Sequence, residues 1–282
     1  MHAGSLVAAL GSYLSARSQG GRWLLRIEDL DPPREVAGAA DTIRRQLEAL
    51  DLHWDGEPWF QSQRSEAYAA ALADLDSAGL VFRCTCGRKL LKRTAAEGID
   101  GIIYPGTCRY AARSSEQRHA LRMRVGDGMQ TFVDRWRGLR SCDRREDLGD
   151  FIVRRSDGLY SYPLAAAVDD AAQGITEVVR GADLLPATHK QRLVQEALGY
   201  TEPTYGHLPM LLDPAGAKLS KSEGAAALDL AEPTTALCSA LAVLGQALPE
   251  DAANMGAEGL LAWSVAHWAP AQVPSCDLRL PA

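Results

Sequence analysis

Apolar residues at helical spacing open the chain. Leu6, Leu10 and Leu14 recur at every fourth position, which is typical of the buried face of an α-helix. The small and polar residues before them favour a helix N-terminus near His2. We therefore expect the chain to begin almost directly with a helix.

A short apolar run follows this helix. Residues Trp23 to Ile27 are apolar apart from one arginine and are followed by Glu28 and Asp29. This pattern is typical of a buried parallel strand, whose carboxyl end places polar side chains at the edge of a sheet. Helical spacing returns around Leu47 and again around Leu72.

The alternation of strands and helices is interrupted and later resumes. The interruption runs from about Leu80 to Arg124 and has the character of an insertion. Beyond it, the pattern predicts strands and one helix. The strands are predicted at Thr131–Asp134, Phe151–Arg154, Ile175–Val179 and His207–Leu212, and the helix at Ala187–Leu198.

Alternating strands and helices indicate an α/β fold with a doubly wound, Rossmann-like sheet. We expect four segments: a first half of the nucleotide-binding α/β domain in residues 1–79, a zinc-binding insertion in 80–124, a second half in 125–205, and a loop region with a small, mostly helical C-terminal part in 206–282. The proline-containing end after Trp268 is expected to be disordered.

Length and composition fit a protein without a membrane span. The 282 residues exceed the roughly 100–200 of a typical single domain, which suits one large unit carrying an insertion. No apolar run approaches the roughly 20 residues that a membrane span needs. No signal-peptide pattern precedes the first helix, so we expect a cytoplasmic protein.

Charge is negative overall but uneven along the chain. The net charge of −6 does not by itself support nucleic-acid binding. Eleven arginines in the middle of the chain either form a local basic face or belong to an ordinary solvated surface. They are Arg113, Arg118, Arg122, Arg124, Arg135, Arg137, Arg140, Arg144, Arg145, Arg154 and Arg155.

Three of the six cysteines lie close together in the sequence. Cys84, Cys86 and Cys108 fall within a 25-residue window, and thiolates in reducing conditions suit Zn²⁺. A structural zinc site has four ligands. Tyr104, a water molecule or His119 can supply the fourth.

A polar loop carries two lysines three residues apart. Lys218 and Lys221 flank Ser220, with Gly216 before the loop and Gly224 after it. Such a loop can fold over a polyphosphate, where ammonium groups neutralise the charge that develops on phosphate. The alternative is a pair of ordinary surface lysines.

The chain also opens with a possible anion site. His2 supplies an imidazole, Gly4 allows close backbone approach, and the free N–H groups of a helix N-terminus favour an anion. A nucleotide would fit there. The alternative is a disordered terminal histidine.

Together these segments resemble the class I aminoacyl-tRNA synthetases. Residues 1–6 resemble the second half of their first signature, residues 218–222 resemble their second signature, and residues 26–29 (Arg-Ile-Glu-Asp) match the glutamate branch. Within that branch, residues 30–35, residues 179–184 and the cysteine–tyrosine set look like the glutamyl-Q tRNA(Asp) synthetases.

The resemblance extends to about residue 245 and implies a two-step reaction. ATP, acting with Mg²⁺, activates L-glutamate to glutamyl-adenylate, and the glutamyl group is then transferred to queuosine in the anticodon loop of tRNA(Asp). The resemblance also implies one structural Zn²⁺ per chain, and we expect a monomer that does not contact membranes. Alternatives are a glutamyl-tRNA synthetase-like fragment that charges a tRNA 3′ end, or a non-catalytic tRNA-binding relic.

The resemblance also implies which residues bind glutamate. Glu28 is expected to hold the substrate ammonium, and Arg180 to pair bidentately with a substrate carboxylate. Tyr162 is expected to contact the same amino acid through its hydroxyl. Asp169 and Asp170 also follow the family pattern, but we expect them to be structural.

Nucleotide and metal roles follow in the same way. The resemblance assigns ATP binding to Lys221, Lys218, His2 and Gly4, with catalytic roles for Lys221 and His2. The implied zinc ligands are Cys84, Cys86, Tyr104 and Cys108.

The sequence departs from the family at its start. Family members begin with a strand of the type Arg-Phe-Ala-Pro-Ser-Pro-x-Gly, whereas Met1 falls after this strand. Such a strand would be central in a parallel sheet. We expect the natural start of the protein to lie upstream.

Overall fold

A computed structural model describes residues 1–111, 114–216, 228 and 230–279. Its α-helices are α1 (Ala3–Ser18), α2 (Ala39–Ala49), α3 (Ser65–Ser77), α4 (Arg88–Thr94), α5 (Tyr162–Gln173), α6 (Leu185–Leu198), α7 (Pro233–Val243) and α8 (Gly256–Ala266). Its strands are β1 (Arg26–Ile27), β2 (Trp59–Phe60), β3 (Val81–Cys84), β4 (Glu97–Gly98), β5 (Gly101–Ile102), β6 (Ala120–Met123), β7 (Met129–Asp134), β8 (Gly138–Asp143), β9 (Phe151–Arg154), β10 (Glu177–Gly181), β11 (Thr204–Leu208), β12 (Leu211–Leu212) and β13 (Leu278–Arg279).

Parallel pairing dominates around the helices, as the α/β prediction requires. Strand β1 pairs in parallel with β2, and β11 pairs in parallel with both β10 and β7. The register of β10 and β11 places Arg180 opposite His207. Strand β8 adds an antiparallel edge to β7. The predicted α/β fold with a Rossmann-like core is confirmed.

Helix α1 lies against β10 and runs in the opposite direction. His2 is its N-cap, as predicted, and near its C-terminus the hydroxyl of Ser15 donates to Glu177 at 2.8 Å. The start of α1 therefore points toward the carboxyl end of β10. A Cβ on Gly11 would come within 2.5 Å of Leu208, so glycine allows the helix to pack closely on β11.

A second core joins α3, α5 and α6 to the antiparallel strands β3, β6 and β9. Asp169 is fully buried in it and accepts hydrogen bonds from Gln61, Arg64 and Tyr68 at 2.7–2.9 Å. Three donors satisfy the buried carboxylate, which is the condition for tolerating such a group in a core.

The segment between β3 and β6 leaves the α/β core and returns to it. Strands β3 and β6 are antiparallel partners, with Cys84 opposite Ala120. Helix α4 and the β4–β5 hairpin lie between them. A small separate core there includes Phe82, Leu91 and Tyr104.

Two predicted strands were wrong in extent. The strand predicted from Trp23 to Ile27 is regular only over β1, because the backbone N–H of Trp23 donates to the Asp55 side chain at 2.8 Å instead of to a strand. The strand predicted from His207 to Leu212 is divided between β11 and β12. Helix α5 and strand β8 were not predicted.

The predicted disorder after Trp268 was also wrong for the residues that the structure describes. Strand β13 pairs in parallel with β12. Asp277 accepts from Arg137 at 2.6 Å and from the backbone N–H of Met210 at 3.1 Å. These bonds hold the C-terminal segment on the α/β core.

Half of the ten described arginines of the middle segment are ion-paired with acidic residues. Arg113 lies outside the described residues. Five of the others are ion-paired, which favours the ordinary-surface alternative: Arg135 with Glu177, Arg137 with Asp277, Arg144 with Glu196, Arg145 with Asp127, and Arg155 with Asp31. None of the helices in the described part of the chain is both long and apolar enough to span a bilayer.

Candidate active site and metal centre

Arg180, near the carboxyl end of β10, is the centre of a polar network. Its Nε donates to His207 Nε2 at 3.2 Å. Its Nη2 donates to Thr188 Oγ1 and to Gln191 Oε1, both at 2.7 Å. Its Nη1 donates to the hydroxyl oxygen of Tyr162 at 2.9 Å. Because Thr188, Gln191 and His207 are fully buried, they hold the guanidinium group in one orientation.

These bonds change the expected mode of carboxylate binding. A guanidinium has five N–H donors, and the contacts to His207, Thr188, Gln191 and Tyr162 occupy four of them. One Nη1 hydrogen remains for a ligand. The second donor nearest to it is the hydroxyl hydrogen of Tyr162. Bidentate pairing from Arg180 alone would require one of the four bonds to be exchanged for the ligand, and it stays a prediction.

Tyr162 begins α5 and faces the same space as Glu28. Burial and the negative charge of Glu28 raise the pKa of Tyr162, while Arg180 opposes the rise. The phenol is therefore neutral near pH 7. Since its oxygen already accepts from Arg180, its hydrogen is directed to another acceptor.

Glu28 directly follows β1 and supplies the negative charge of the site. Surrounding protein raises its pKa, an effect that the charges of Arg26 and Arg180 oppose. The side chain is 41% exposed, so water reaches the carboxylate and limits the rise. Arg26 is held by Asp170 at 2.7 Å, which leaves Glu28, at 4.0 Å from Arg26, open to a ligand cation.

The structure therefore brings together the three residues that the sequence assigned to glutamate. Arg180 is hydrogen-bonded to Tyr162, the charge of Glu28 raises the pKa of Tyr162, and the charge of Arg180 lowers that of Glu28. We call the space beside these three residues the cleft. This arrangement complements a molecule that carries both an ammonium and a carboxylate.

The start of α1 carries the residues that the family resemblance assigned to the nucleotide. The ring of His2 accepts from the backbone N–H of Ser5 at 3.3 Å, and a Cβ on Gly4 would lie 3.2 Å from that ring. His2 thus caps the helix, and glycine leaves room for the ring. The remaining N–H groups of the first turn are suited to an anion.

The two lysines of the polar loop, Lys218 and Lys221, lie outside the described residues. Their loop nevertheless ends beside α1, because the backbone N–H of Leu228 donates to the carbonyl of Met1 at 3.1 Å. Leu228, which follows that loop in the sequence, therefore lies beside the N-terminus of α1.

Three thiols converge at the insertion. The sulfur atoms of Cys84, Cys86 and Cys108 lie within 4.8 Å of one another. The hydroxyl oxygen of Tyr104 is 3.4 Å from Cys84 Sγ and 3.5 Å from Cys86 Sγ. Among the described residues, His119 is not part of this group, so the structure favours Tyr104 over His119 as the fourth ligand.

The separations fit a tetrahedral metal ion. Metal–sulfur bonds of about 2.3 Å and a metal–oxygen bond of about 2.0 Å would place two sulfurs about 3.8 Å apart and a sulfur and an oxygen about 3.5 Å apart. Cys86 Sγ and Cys108 Sγ are separated by 3.6 Å. Burial raises the pKa of Cys86 and of Tyr104, so a bound cation would be needed to hold these ligands deprotonated.

Two recesses lie away from these residues. One of about 430 Å³ is lined by Trp136 and Pro270, and another of about 260 Å³ by Trp59 and Gln173. Neither includes Glu28. Glu28 and Arg180 lie near the carboxyl ends of β1 and β10, where an α/β sheet binds its ligands.

Comparisons with known proteins identify the family of the chain. Residues 1–261 match the family described as the catalytic domain of class I tRNA synthetases (E and Q). The chain is 49% identical over 281 residues to a glutamyl-Q tRNA(Asp) synthetase of Chromobacterium violaceum. That alignment covers 100% of this chain and 94% of the relative. It is 50% identical over 282 residues to the protein of the same name from Dechloromonas aromatica. That alignment covers 99% of this chain and 94% of the relative.

The fold matches solved structures as well. The crystal structure of glutamate-tRNA synthetase from Elizabethkingia anophelis aligns with a TM-score of 0.82 at 24% identity. The alignment covers 100% of this chain but 66% of that one. The likeness therefore concerns the fold, and the chain spans about two thirds of the length of that synthetase.

Proposed function

The chain belongs to the class I tRNA synthetases of the glutamate and glutamine type, and from this membership we propose that it activates L-glutamate with ATP and transfers the glutamyl group to the queuosine base of tRNA(Asp). Members of this family are ligases that form aminoacyl-tRNA. The proposal is supported by near full-length similarity to proteins named glutamyl-Q tRNA(Asp) synthetase. The observation that carries it is the placement of Glu28 opposite Arg180 and Tyr162.

Glutamate binding follows from the charges of the cleft. Glu28 accepts hydrogen bonds from the substrate ammonium. Arg180 Nη1 and the hydroxyl of Tyr162 donate to a substrate carboxylate. Each bond joins opposite charges or a neutral donor to an anion, and such bonds are stronger than those between neutral groups.

ATP binds at the start of α1. The helix N-terminus, with His2 and Gly4, receives phosphate, and Lys218 and Lys221 approach from the loop that ends near Met1. The family uses ATP with Mg²⁺. A carboxylate oxygen of glutamate attacks the α-phosphorus and pyrophosphate departs. Lysine ammoniums there stabilise the charge that develops on the phosphates.

Transfer completes the reaction. A hydroxyl of the queuosine cyclopentenediol attacks the acyl carbon of glutamyl-adenylate, loses its proton, and releases AMP. The acceptor is a base in the anticodon loop of tRNA(Asp).

We assign the protein to the cytoplasm as a monomer. Its functional parts are the segments 1–79, 80–124, 125–205 and 206–282.

One structural Zn²⁺ completes the insertion. Its ligands are Cys84, Cys86, Cys108 and Tyr104, whose separations support a tetrahedral site. The metal would link both ends of the segment between β3 and β6. It has no part in the chemical steps.

A second function is favoured by the fold likeness to glutamate-tRNA synthetases. In this alternative the glutamyl group is attached to a tRNA 3′ end. A tRNA-binding relic without activity is a third possibility. These readings differ in whether queuosine is needed and whether glutamate is activated at all.

The first experiment is glutamate-dependent ATP–pyrophosphate exchange without tRNA. It uses this chain and the same chain extended by the strand that the family resemblance implies. Exchange that requires L-glutamate in either form supports activation. No exchange in both forms would refute the proposal and favour the relic.

A further inference from the structure

A buried histidine stands directly behind Arg180. His207 is fully buried, and its Nε2 accepts from Arg180 Nε at 3.2 Å. On the other side of the ring, Nδ1 lies 2.5 Å from Asp134 Oδ2. Asp134, His207 and Arg180 thus form one line from the end of β7 through β11 to β10.

The partners of this ring specify its protonation. Nε2 is contacted by Arg180, which has only donors, and it also lies 3.1 Å from the hydroxyl of Thr188, which can donate or accept. The donor from Arg180 requires a lone pair on Nε2, and the Thr188 hydroxyl is compatible with it. Nδ1 faces a carboxylate and must therefore carry the hydrogen. His207 is neutral, with its proton on Nδ1, and the opposite tautomer would set two N–H donors against each other.

The electrostatics agree with this assignment. Burial lowers the pKa of His207, and the charges of Arg180 and Arg137 lower it further, against the effect of Asp134. Burial alone would raise the pKa of Asp134, but hydrogen bonds from His207 and from backbone N–H groups outweigh it and lower that pKa. The carboxylate is ionised and the imidazole neutral.

We propose that His207 and Asp134 are positioning residues for substrate binding: Asp134 holds His207 in the Nδ1–H tautomer, and Nε2 then orients the guanidinium of Arg180 toward the substrate carboxylate. The identity of that substrate rests on the proposed function. Neither residue touches glutamate. They act by fixing the direction of the one Nη1 hydrogen of Arg180 that is available to the substrate.

The alternative is that His207 only fills space in the core. Two substitutions separate these roles. His207→Gln keeps an acceptor at the position of Nε2, whereas His207→Asn keeps a donor at the position of Nδ1 and loses that acceptor. Because asparagine is one methylene smaller, a space-filling role predicts a lower free energy of unfolding for His207→Asn but the same KM for glutamate in both variants.

The measurement is KM for glutamate and kcat in ATP–pyrophosphate exchange. We expect KM within about threefold of the parent for His207→Gln and about tenfold higher for His207→Asn, with a smaller change in kcat, because the lost bond involves a charged donor. Equal values for the two variants would overturn the proposal.

The role of Asp134 is tested by a double-mutant cycle. Asp134→Asn retains an oxygen for the backbone N–H groups of Trp136 and Arg137, which Oδ1 accepts at 3.1 and 2.9 Å, but its amide faces His207 Nδ1 and favours the wrong tautomer. We expect KM to rise about tenfold with His207 present and much less in the His207→Gln background. An equal rise in both backgrounds would contradict the relay.

Nitrogen NMR reads the tautomer without any substrate. Long-range ¹H–¹⁵N spectra of the histidine-labelled chain, assigned with His207→Gln, should show Nδ1 protonated and Nε2 bare at pH 7. A protonated Nε2 would overturn the proposal. Loss of exchange in the parent protein would instead refute the proposed function, and the NMR result would still decide the tautomer.

Discussion

The orientation of Arg180 depends on residues that lie far apart in the chain: its Nε donates to His207, and His207 Nδ1 lies 2.5 Å from Asp134. Glu28, Tyr162 and Arg180 were assigned to glutamate through the family resemblance, and the structure joins Tyr162 to Arg180 by a hydrogen bond. Asp134 and His207 were not recognised as a pair. Each is a polar residue in an apolar stretch, but the sequence contains no sign that β7 and β11 are neighbours, and only their pairing joins the two side chains.

The first prediction concerns the geometry of Arg180. Arg180→Lys keeps the charge but cannot reproduce contacts to His207, Thr188 and Tyr162 while also reaching a ligand. We expect kcat/KM for glutamate in ATP–pyrophosphate exchange to fall about 10- to 100-fold, which corresponds to one or two charged hydrogen bonds.

The matched control is Arg192→Lys. Arg192 lies in the same region, on α6, and pairs with Glu202 at 2.7 Å, outside the cleft. Its exchange kinetics should stay within about twofold of the parent, because lysine can retain a surface ion pair worth under about 1 kcal/mol. Equal losses in both variants would mean that Arg180 has no special role.

The second prediction concerns a buried histidine outside the cleft. His189 is 4% exposed, its Nδ1 lies 2.9 Å from Gln130 Oε1, and burial followed by the charges of Arg192 and Arg140 lowers its pKa to about 4. As pH falls below about 6.5, the unfolded chain binds a proton that the folded chain excludes. The contribution of His189 to the free energy of unfolding is therefore fully present above pH 6.5 and is lost as the pH falls toward 4.

This loss is measurable by urea unfolding across that range of pH. His189 should contribute a decrease on the order of 3 kcal/mol between pH 7 and pH 4. His189→Gln, which cannot titrate, should show a shallower decrease by about that amount. Parallel curves for the two proteins would show that His189 is not held neutral.

At the scale of elements, regular apolar spacing predicted helices well. Elements held by bonds between distant side chains were missed. Helix α1 and helix α6 were predicted closely because their apolar positions repeat. Helix α5 was missed because its buried face contains Asp169 and Asp170, which interrupt the apolar pattern. Their partners, Arg64 and Arg26, come from far away in the sequence.

The third prediction concerns the C-terminal strand. Asp277→Ala would leave Arg137, whose side chain is 10% exposed, and the N–H of Met210 without this acceptor. Because unsatisfied partly buried donors are costly, we expect the free energy of unfolding to fall by about 1–3 kcal/mol, measured in urea. Glu250→Ala, at an exposed position, should change it by less than about 0.5 kcal/mol. Similar values would mean that β13 adds no stability.

The fourth prediction concerns the metal centre. Cys108→Ser should lower the zinc content of the purified protein from about one ion per chain to far less, because serine is a poor zinc ligand. Cys142→Ser is the control, since Cys142 is equally buried but lies outside the thiol group. Metal content is measured by mass spectrometry of the acid-released ion. Full zinc in the Cys108 variant, or none in the parent, would exclude the site.

At the scale of the whole molecule, the sequence predicted the layers of the fold but not the pairing of its strands. Alternation indicated an α/β arrangement, and the fold likeness to glutamate-tRNA synthetases agrees with it. The packing of α1 against β10 and the bond between Leu228 and Met1 join segments that are far apart in the chain. Periodicity within each segment carries no information about that packing.

The acceptor is the part of the account that depends most on the molecule as a whole. The cleft explains glutamate and ATP, while the choice between a queuosine base and a tRNA 3′ end is drawn from relatives that match nearly the full chain. The two acceptors differ in chemistry, which makes them separable in one assay.

The most direct test is transfer of radiolabelled glutamate to purified tRNA(Asp), prepared with and without queuosine, in the presence of ATP and Mg²⁺. The account predicts an alkali-labile glutamyl ester on the queuosine-containing tRNA and none on the other. Because oxidation of the 3′-terminal diol would also cleave the diol of queuosine, the position of the label is read by nuclease digestion after the reaction, and the label should be released with an anticodon-loop nucleotide and not with the 3′-terminal adenosine. Equal labelling of both tRNAs, or label found at the 3′ end, would contradict the account.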